Sequence, residues 1–384
     1  MRFEFSTASR IVFGPGAAAQ IPAIARELGT RALVVTGRDA DRCAGTRAAL
    51  ERAGVANSVF SVCGEPSVDA VRSGAVAARE AGASLVIGFG GGSAIDAAKA
   101  IAALAPNSGD PLDYLEVVGR GAPLQRSPLP VIAVPTTAGT GSEVTRNAVL
   151  YSPEHRVKAS LRSPLLLPRA AIVDPELTYG LPPAVTASTG LDALTQLIEP
   201  YVSVRANVMT DLFCREGMRI AARALPRAFA EGTDHGARQA MSFASLLGGL
   251  ALANAGLGAV HGFAAPVGGM FDAPHGAICA ALLPYGMEIN IRALRARAPE
   301  SEALRRYGEI ARLLSGDPSA EPEAGVAWVR AICDRLAIAP LRAFGVAAEH
   351  APQLVEKAAQ ASSMKGNPIP LDAAEMLEMI TRAI

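Results

Sequence analysis

The sequence predicts an α/β domain followed by an all-helical domain, and three observations carry that expectation. At 384 residues the chain exceeds the usual single-domain length of about 100–200 residues, which favours two cores. From Met1 to about Leu181, short β-branched runs alternate with Ala-rich helical patterns, the signature of βαβ units and a mainly parallel sheet. After Leu181-Pro182-Pro183 strand-like alternation nearly vanishes, and Ala/Leu-rich helical patterns follow one another across Gly or Pro breaks. The expected domains are therefore 1–182 and 183–384.

Taken in order, Phe3–Phe5 and Arg10–Phe13 are expected to pair as an edge ribbon. Arg31–Thr36, Ser58–Val62, Ser84–Phe89 and Val131–Pro135 are the clearest strands, being short, apolar and bounded by turn residues. Between them, Ala40–Ala53 and Ser67–Ala81 have helical periodicity, with Gly54 and Gly82 placed where helix C-caps belong. Val149–Tyr151 and Val157–Ser160 predict a hairpin across Ser152-Pro153. Gln239–Phe271 carries no formal charge and is long enough to span a bilayer, but Asn254, His261, Pro266 and many glycines interrupt it. Close helix packing around a buried site suits it better than lipid.

Half the residues are apolar and 19% are charged, a balance that closes packed cores. With 36 basic against 36 acidic residues and no basic run, nucleic acid is not an expected partner. The five cysteines are widely spaced, with no CxxC pair, and are expected to be reduced, mostly buried thiols in the cytoplasm. The first residues lack the apolar core of a secretory signal.

Two glycine-rich segments carry the first chemical signal. FGGGSAIDAAKA (Phe89–Ala100) stands between a buried strand and a helix, where glycines let backbone approach a phosphate and the helix start offers free N–H groups. Alone, a tight turn capped by Ser93 would explain it. PTTAGTGSEVT (Pro135–Thr145) also follows a strand and adds hydroxyl donors, and two such loops in one α/β domain point to a dinucleotide. Gly37, after the strand ending VVT, is a third candidate, facing the adenosine ribose.

In the helical half, Asp192, Gln196 and Glu199 follow helical spacing and share a face. A solvated polar stripe is the ordinary explanation, but the neighbours are apolar. His261 and His275 lie in or beside the least charged region, where imidazoles need partners. With an Asp from another helix they are able to gather round a divalent metal. His155, His235 and His350 sit in charged or loop-like contexts and are expected at the surface.

In this order and spacing, GGGSAIDAAKA, PTTAGTGSEVT, TGLDAL and the segment from His261-Gly262 to Pro274-His275-Gly276 resemble the iron-containing alcohol dehydrogenase family, over essentially the whole chain. The resemblance implies the dehydroquinate synthase-like fold: an N-terminal dinucleotide-binding α/β domain, a C-terminal helical domain and an active site in the cleft between them. The implied activity is NAD(P)-dependent interconversion of alcohols with aldehydes or ketones. By the same resemblance Gly91, Gly92, Ser93 and Asp96 hold the pyrophosphate, Thr136 and Thr140 line the cofactor cleft, and Lys158 reaches the nicotinamide-side ribose. The family's metal positions correspond to Asp192, Gln196, His261 and His275.

Three departures accompany the match. The second metal position is Gln196 where the family has histidine, and a neutral amide is a poorer ligand for iron or zinc than imidazole. Ala265 stands where members often carry a proton-relaying histidine. Gly37 and Arg38 follow Thr36 where many members place a ribose-binding Asp, with Asp39 next, so NADP as well as NAD is admissible. Two mechanisms follow: metal-assisted polarisation of the substrate oxygen, or hydrogen bonding and proton transfer from His261 or His275 without metal. Maleylacetate reductase-like reduction of a carboxylated substrate, and a nucleotide-binding relative without turnover, are the competing functions. A dehydroquinate synthase-like elimination ranks below them, because Lys and Arg are scarce around Asp192, His261 and His275. A homodimer is expected from the exposed edge ribbon and the commonness of symmetric dimers.

Overall fold

In the computed structural model, which describes residues 2–384, six parallel strands form the first unit: β1 (Ile11–Phe13), β2 (Arg31–Thr36), β3 (Ala56–Ser61), β4 (Leu85–Gly90), β5 (Val131–Pro135) and β8 (Ala170–Val173). A separate antiparallel hairpin pairs β6 (Asn147–Ser152) with β7 (Val157–Arg162). The sheet order is β1-β8-β5-β4-β2-β3. The central strands are mostly apolar and buried because both faces are covered, Arg31 at the start of β2 being the exposed exception. Leu33, Val35 and Val86 pack towards helices α3 (Val68–Glu80) and α4 (Gly92–Leu104). Val34, Ile87, Ile132 and Ile172 pack on the opposite face with Ile21 and Ile24 of α1 (Ile21–Leu28) and with Leu50 of α2 (Ala44–Arg52).

β2 and β5 occupy the residues that their apolar runs predict. Gly54 and Gly82 take φ of +78° and +57°, the left-handed geometry of a helix C-cap. Ser67 caps α3 by accepting from Ala70 N–H. The helix expected over 40–53 is split into a 3-10 turn, Ala40–Cys43, and α2, because the Asp39 carboxylate accepts from Asp41 N–H and starts a separate turn.

The N-terminal ribbon is a correction. Phe3–Phe5 forms no strand, and β1 pairs in parallel with β8, Ile11 opposite Ala171. β8 is only four residues long, too short to show alternation, yet fully buried, and it offers β1 a better partner than an exposed ribbon would. The Phe5 ring instead packs on Phe213, 5.7 Å between centroids.

Short helix α5 (Pro111–Tyr114) completes the first unit, which comprises Ser6–Thr137 and Gly141–Tyr179. The second unit gathers the residues up to Phe5, Ala138–Thr140 and Gly180–Ile384. Its helices are α6 (Pro183–Val202), α7 (Val208–Ala230), α8 (His235–Ala255), α9 (Ala259–Met270), α10 (His275–Arg297), α11 (Glu302–Ser315), α12 (Pro322–Arg335), α13 (Ala351–Gln360) and α14 (Ala373–Ala383). Start signals are explicit: Pro183 opens α6, Asn207 and Asp372 form capping boxes for α7 and α14, and Asp234 and Ser301 cap α8 and α11. A 99° bend between α8 and α9 breaks the uncharged stretch. Among the described residues α10 is long and apolar enough to cross a membrane, and 78% of its apolar window is buried inside the fold.

Candidate active site

The sheet order places its reversal between β2 and β4, since β2 continues to β3 on one side and the chain crosses to β4 on the other. In open α/β sheets, ligands bind at the strand C-termini beside such a reversal. Thr36 stands opposite Phe89, Gly90 stands opposite Pro135, and Thr136 N–H donates to Gly90 C=O at 2.9 Å. The loops beginning at Gly37, Gly91 and Thr136 therefore lie side by side. A side chain at Gly90 would meet Ala94 Cβ at 2.7 Å, so glycine there lets β4 approach α4. Gly91 is the N-cap of α4 and brings no side-chain cap, leaving the first-turn N–H groups to an anion. Gly91, Gly92 and Ser93 are half-buried, and space is open beside Gly37.

Other expected cofactor residues have different neighbours. Asp96 accepts from Ser142 Oγ and from Val149 N–H (3.0 Å), and it pairs with Lys99 Nζ at 3.2 Å. Its carboxylate thus anchors the second glycine loop; as an acceptor it has nothing to donate to a pyrophosphate. Lys158 Nζ lies 2.8 Å from Glu65 Oε1. Thr136 is buried, and half-buried Thr140 belongs to Ala138–Thr140, the segment that packs with the helical unit, Gly139 against Thr189.

Lys99, fully buried, donates to Ser142 C=O, Thr145 Oγ1 and Asn147 C=O, tying the same loop to α4. Burial pushes the neighbouring Glu143 carboxyl up from 4.5 to about 7, with Lys99 pulling the other way. A carboxyl raised in the fold is a liability once it ionises. Stability should fall between pH 4.5 and about 7 and stay reduced above that. Glu143→Gln is expected to flatten that slope, a gain of about 3 kcal/mol over wild type at pH 8; urea midpoints at pH 4.5 and 8 that move in parallel for both proteins would exclude it.

In the helical unit Asp192, Gln196 and Glu199 point inward from α6, at 1%, 2% and 6% exposure, so the solvated-stripe explanation fails. α9 supplies His261, also buried, and His275 is the first residue of α10. Gly276 permits that placement: a Cβ there would lie 2.5 Å from Ser188 C=O on α6. His261 Nε2 stands 3.4 Å and His275 Nε2 3.7 Å from Asp192 Oδ1, with the rings 5.4 Å apart. Cys279, one turn after His275, brings its Sγ to 3.7 Å from His275 Nε2. One donor atom from each of Asp192, His261, His275 and Cys279 lies within 4.8 Å of every other.

Cys279 was not among the expected site residues. Its signal in the sequence is the four-residue spacing from His275, which on a helix sets the two side chains on one face. Glu199, which in the sequence is only part of a stripe, orients the site: its Oε2 lies 2.7 Å from His261 Nδ1 and its Oε1 accepts from Val260 N–H at 2.7 Å. The first contact engages Nδ1 and leaves Nε2 as the nitrogen that faces Asp192. The Gln196 amide beside Asp192 makes a small contribution to holding that carboxyl ionised. Of the other histidines, His155 and His235 are exposed, while His350 is half-buried and accepts from Ala347 N–H.

Burial opposes charge on all four cluster residues, but their mutual attraction outweighs it. His275 and His261 hold Asp192 below the usual carboxylate value, and the two imidazoles likewise lower the Cys279 thiol. Cys279 and Asp192 raise His261 well above 6.5 and His275 to about 8. Asp192 Oδ1, Gln196 Oε1 and His261 Nε2 are buried without a hydrogen-bond partner. Buried polar atoms are costly in that state, and a divalent cation bound in place of protons satisfies the oxygen and the nitrogen at once. The donor set therefore fits a metal.

Comparison with known proteins gives the family and the fold. Residues 8–175 match the family described as "Iron-containing alcohol dehydrogenase", and residues 186–384 match "Fe-containing alcohol dehydrogenase family, C-terminal". Alcohol dehydrogenase 4 of Saccharomyces cerevisiae is 36% identical over 319 residues, 83% of this chain and 80% of the yeast protein. The crystal structure of a 1,3-propanediol oxidoreductase superposes with a TM-score of 0.92 at 33% identity, covering 100% of both chains. A sulfoacetaldehyde reductase from Bifidobacterium kashiwanohense, solved in complex with NAD+, matches with a TM-score of 0.85 at 30% identity, over 99% of this chain and 98% of that one.

Proposed function

The chain belongs to the iron-containing alcohol dehydrogenase family, and from that premise we propose that it interconverts a small alcohol and its aldehyde or ketone by hydride transfer with a nicotinamide cofactor. The observation that carries this reading is the buried convergence of Asp192 Oδ1, His261 Nε2 and His275 Nε2, with the first two lacking any hydrogen-bond partner. These three residues would hold a divalent metal. When bound, such a cation supplies Lewis-acid stabilisation of negative charge on the substrate oxygen.

The chain's own residues do the rest of the positioning. Glu199 keeps His261 in one tautomer, and the Gln196 amide helps keep Asp192 ionised. His275 is one-third exposed, whereas the side chains of Asp192 and His261 are 1% and 5% exposed, so a substrate reaches the cluster on the His275 side. The nicotinamide carries the hydride. We assign its pyrophosphate to Gly91, Gly92 and Ser93 at the start of α4, its adenosine ribose to Gly37, and its nicotinamide-side ribose to Lys158 and the Thr136–Thr140 loop. Asp96 serves indirectly, by holding Ser142 and β6 in place.

For the ribose 2′ position we propose that a phosphate is accepted. Gly37 offers no carboxylate, Arg38 is exposed beside it, and Asp39 spends its carboxylate on Asp41 N–H. Gly37→Asp, for which there is open space, is expected to lower kcat/KM for NADPH relative to NADH by about tenfold, or ~1.4 kcal/mol. An unchanged ratio would show that position 37 does not face the 2′ group.

The test of function is oxidation of NADH and NADPH with a panel of small aldehydes and ketones, and the reverse reaction with alcohols including 1,3-propanediol, the compound that one solved relative's name specifies. Turnover that a chelator abolishes and zinc or iron restores is expected. Turnover indifferent to chelation would move the proton-donor role to His261 or His275, and cofactor binding without turnover would leave a nucleotide-binding relative. We further propose a homodimer, since β1 and β3 each leave one sheet edge without a strand partner; a monomer mass in sedimentation would exclude it. The cysteines are free thiols, which suits the reducing cytoplasm.

A further inference from the structure

We propose that Cys279 is the fourth protein ligand of the metal and that its thiolate turns the site into one that selects zinc over iron. The proposal rests on the metal reading above and concerns what the chain has done about Gln196. Donors about 2.0–2.3 Å from a tetrahedral zinc lie about 3.3–3.6 Å from one another. The distances here are 3.4 Å between His261 and Asp192, 3.7 Å between His275 and Asp192, and 3.7 Å between Cys279 and His275. The cluster is thus close to the size of a zinc site before any ion enters.

The surroundings of Cys279 differ from those of ordinary buried thiols. Cys43 and Cys333 each give their S–H to a backbone carbonyl, of Ala40 and Ala280 respectively. Cys279 is fully buried, yet its Sγ faces the imidazole of His275 within a group that also holds a carboxylate oxygen and a second imidazole nitrogen. Gln196, the other candidate for the position, has a buried and unpartnered Oε1, but it is not one of the four donors that lie within 4.8 Å of one another. A neutral amide oxygen also binds borderline metals more weakly than a thiolate does. The chain therefore carries an amide at position 196 and a sulfur one helical turn after His275, and four protein donors remain within reach of one ion.

Two consequences follow. Soft thiolate donors favour zinc, and zinc already exceeds iron(II) in intrinsic affinity for such sites. With two anionic donors, Asp192 and Cys279, a divalent cation becomes electrically neutral, a milder polariser than one bound by a single anion. Binding releases the thiol proton to solvent.

The experiment is X-ray absorption at the zinc edge on full-length protein stripped of metal and reloaded with one equivalent of zinc chloride. One sulfur at about 2.3 Å, beside nitrogen and oxygen, is expected. Cys279→Ser should lose the sulfur shell and weaken zinc binding by about a hundredfold or more, at least the cost of losing an outer-shell partner. Cys279→His should keep zinc with nitrogen in place of sulfur and shift an equimolar zinc–iron(II) competition towards iron. Gln196→Ala should keep the sulfur shell, as should Cys63→Ser, which removes an exposed thiol. A wild-type shell of nitrogen and oxygen alone, with zinc lost from Gln196→Ala, would make Gln196 the ligand and overturn the proposal. A sulfur shell that persists in Cys279→Ser would overturn it equally, and failure of the wild type to bind zinc would overturn the metal reading with it.

Discussion

Asp192→Asn protein is expected to fold but to purify without stoichiometric metal, and to have kcat/KM reduced by about a thousandfold. Asp192 is 1% exposed, and its Oδ1 has no hydrogen-bond partner, so this oxygen contributes little to the fold that an amide of the same shape would forfeit. What the substitution removes is the one carboxylate of the cluster, the group against which both imidazole Nε2 atoms are set at 3.4 and 3.7 Å. A Lewis-acid contribution of about 4 kcal/mol converts to about a thousandfold in rate at 1.36 kcal/mol per decade. Elemental analysis, steady-state kinetics and a thermal unfolding curve on the same preparation decide it. Full metal content with activity within about tenfold of wild type would show that the cluster does not hold the ion through Asp192.

The second large effect is expected away from the reacting atoms. Glu199→Leu should destabilise the protein by about 3–5 kcal/mol, because breaking a buried charge pair leaves its partner unsatisfied. It should also weaken metal binding by about 10–100-fold, the usual cost of losing the residue that orients a ligating histidine. Glu199 is 6% exposed and holds two groups at 2.7 Å each, His261 Nδ1 and the Val260 N–H that opens α9. Leucine fills the space and satisfies neither. Glu199→Gln retains one carbonyl acceptor for two donors and should fall between leucine and wild type in both measurements. Urea unfolding and zinc titration are the readouts, and a leucine variant within about 1 kcal/mol of wild type in stability would refute this role for Glu199.

The extent to which the fold was legible differs from strand to strand for a physical reason. β2 and β5 are central and buried on both sides, and are therefore written around apolar runs, Ala32–Val35 and Val131–Val134, that the strands exceed by a residue or two. β8 is just as buried but four residues long, and its pairing with β1 joins segments about 160 residues apart, which no local pattern announces. The same distinction runs through the site. Asp192, Gln196 and Glu199 were visible as one helix face; that the face turns inward depends on the helices packed over it. Cys279 has no cysteine nearby to mark it, and its meaningful neighbour is His275 on the same helix. Asp96 shows the converse, since motif position places it beside a cofactor while the fold sets its carboxylate on Ser142 and Val149.

By itself the sequence determined the class of the fold, the glycine loops at the strand ends, the helix that bears the carboxylates and the two histidines in or beside the uncharged region, because each is encoded by residue type at a fixed local spacing. Only the tertiary structure decided which donors converge, that Glu199 sets the tautomer of His261 across 62 positions of chain, and that a thiol joins the cluster. Those outcomes depend on how helices approach one another, as where Gly276 lets the start of α10 lie against α6. Distances of that kind are properties of packing, and spacing along the chain does not contain them.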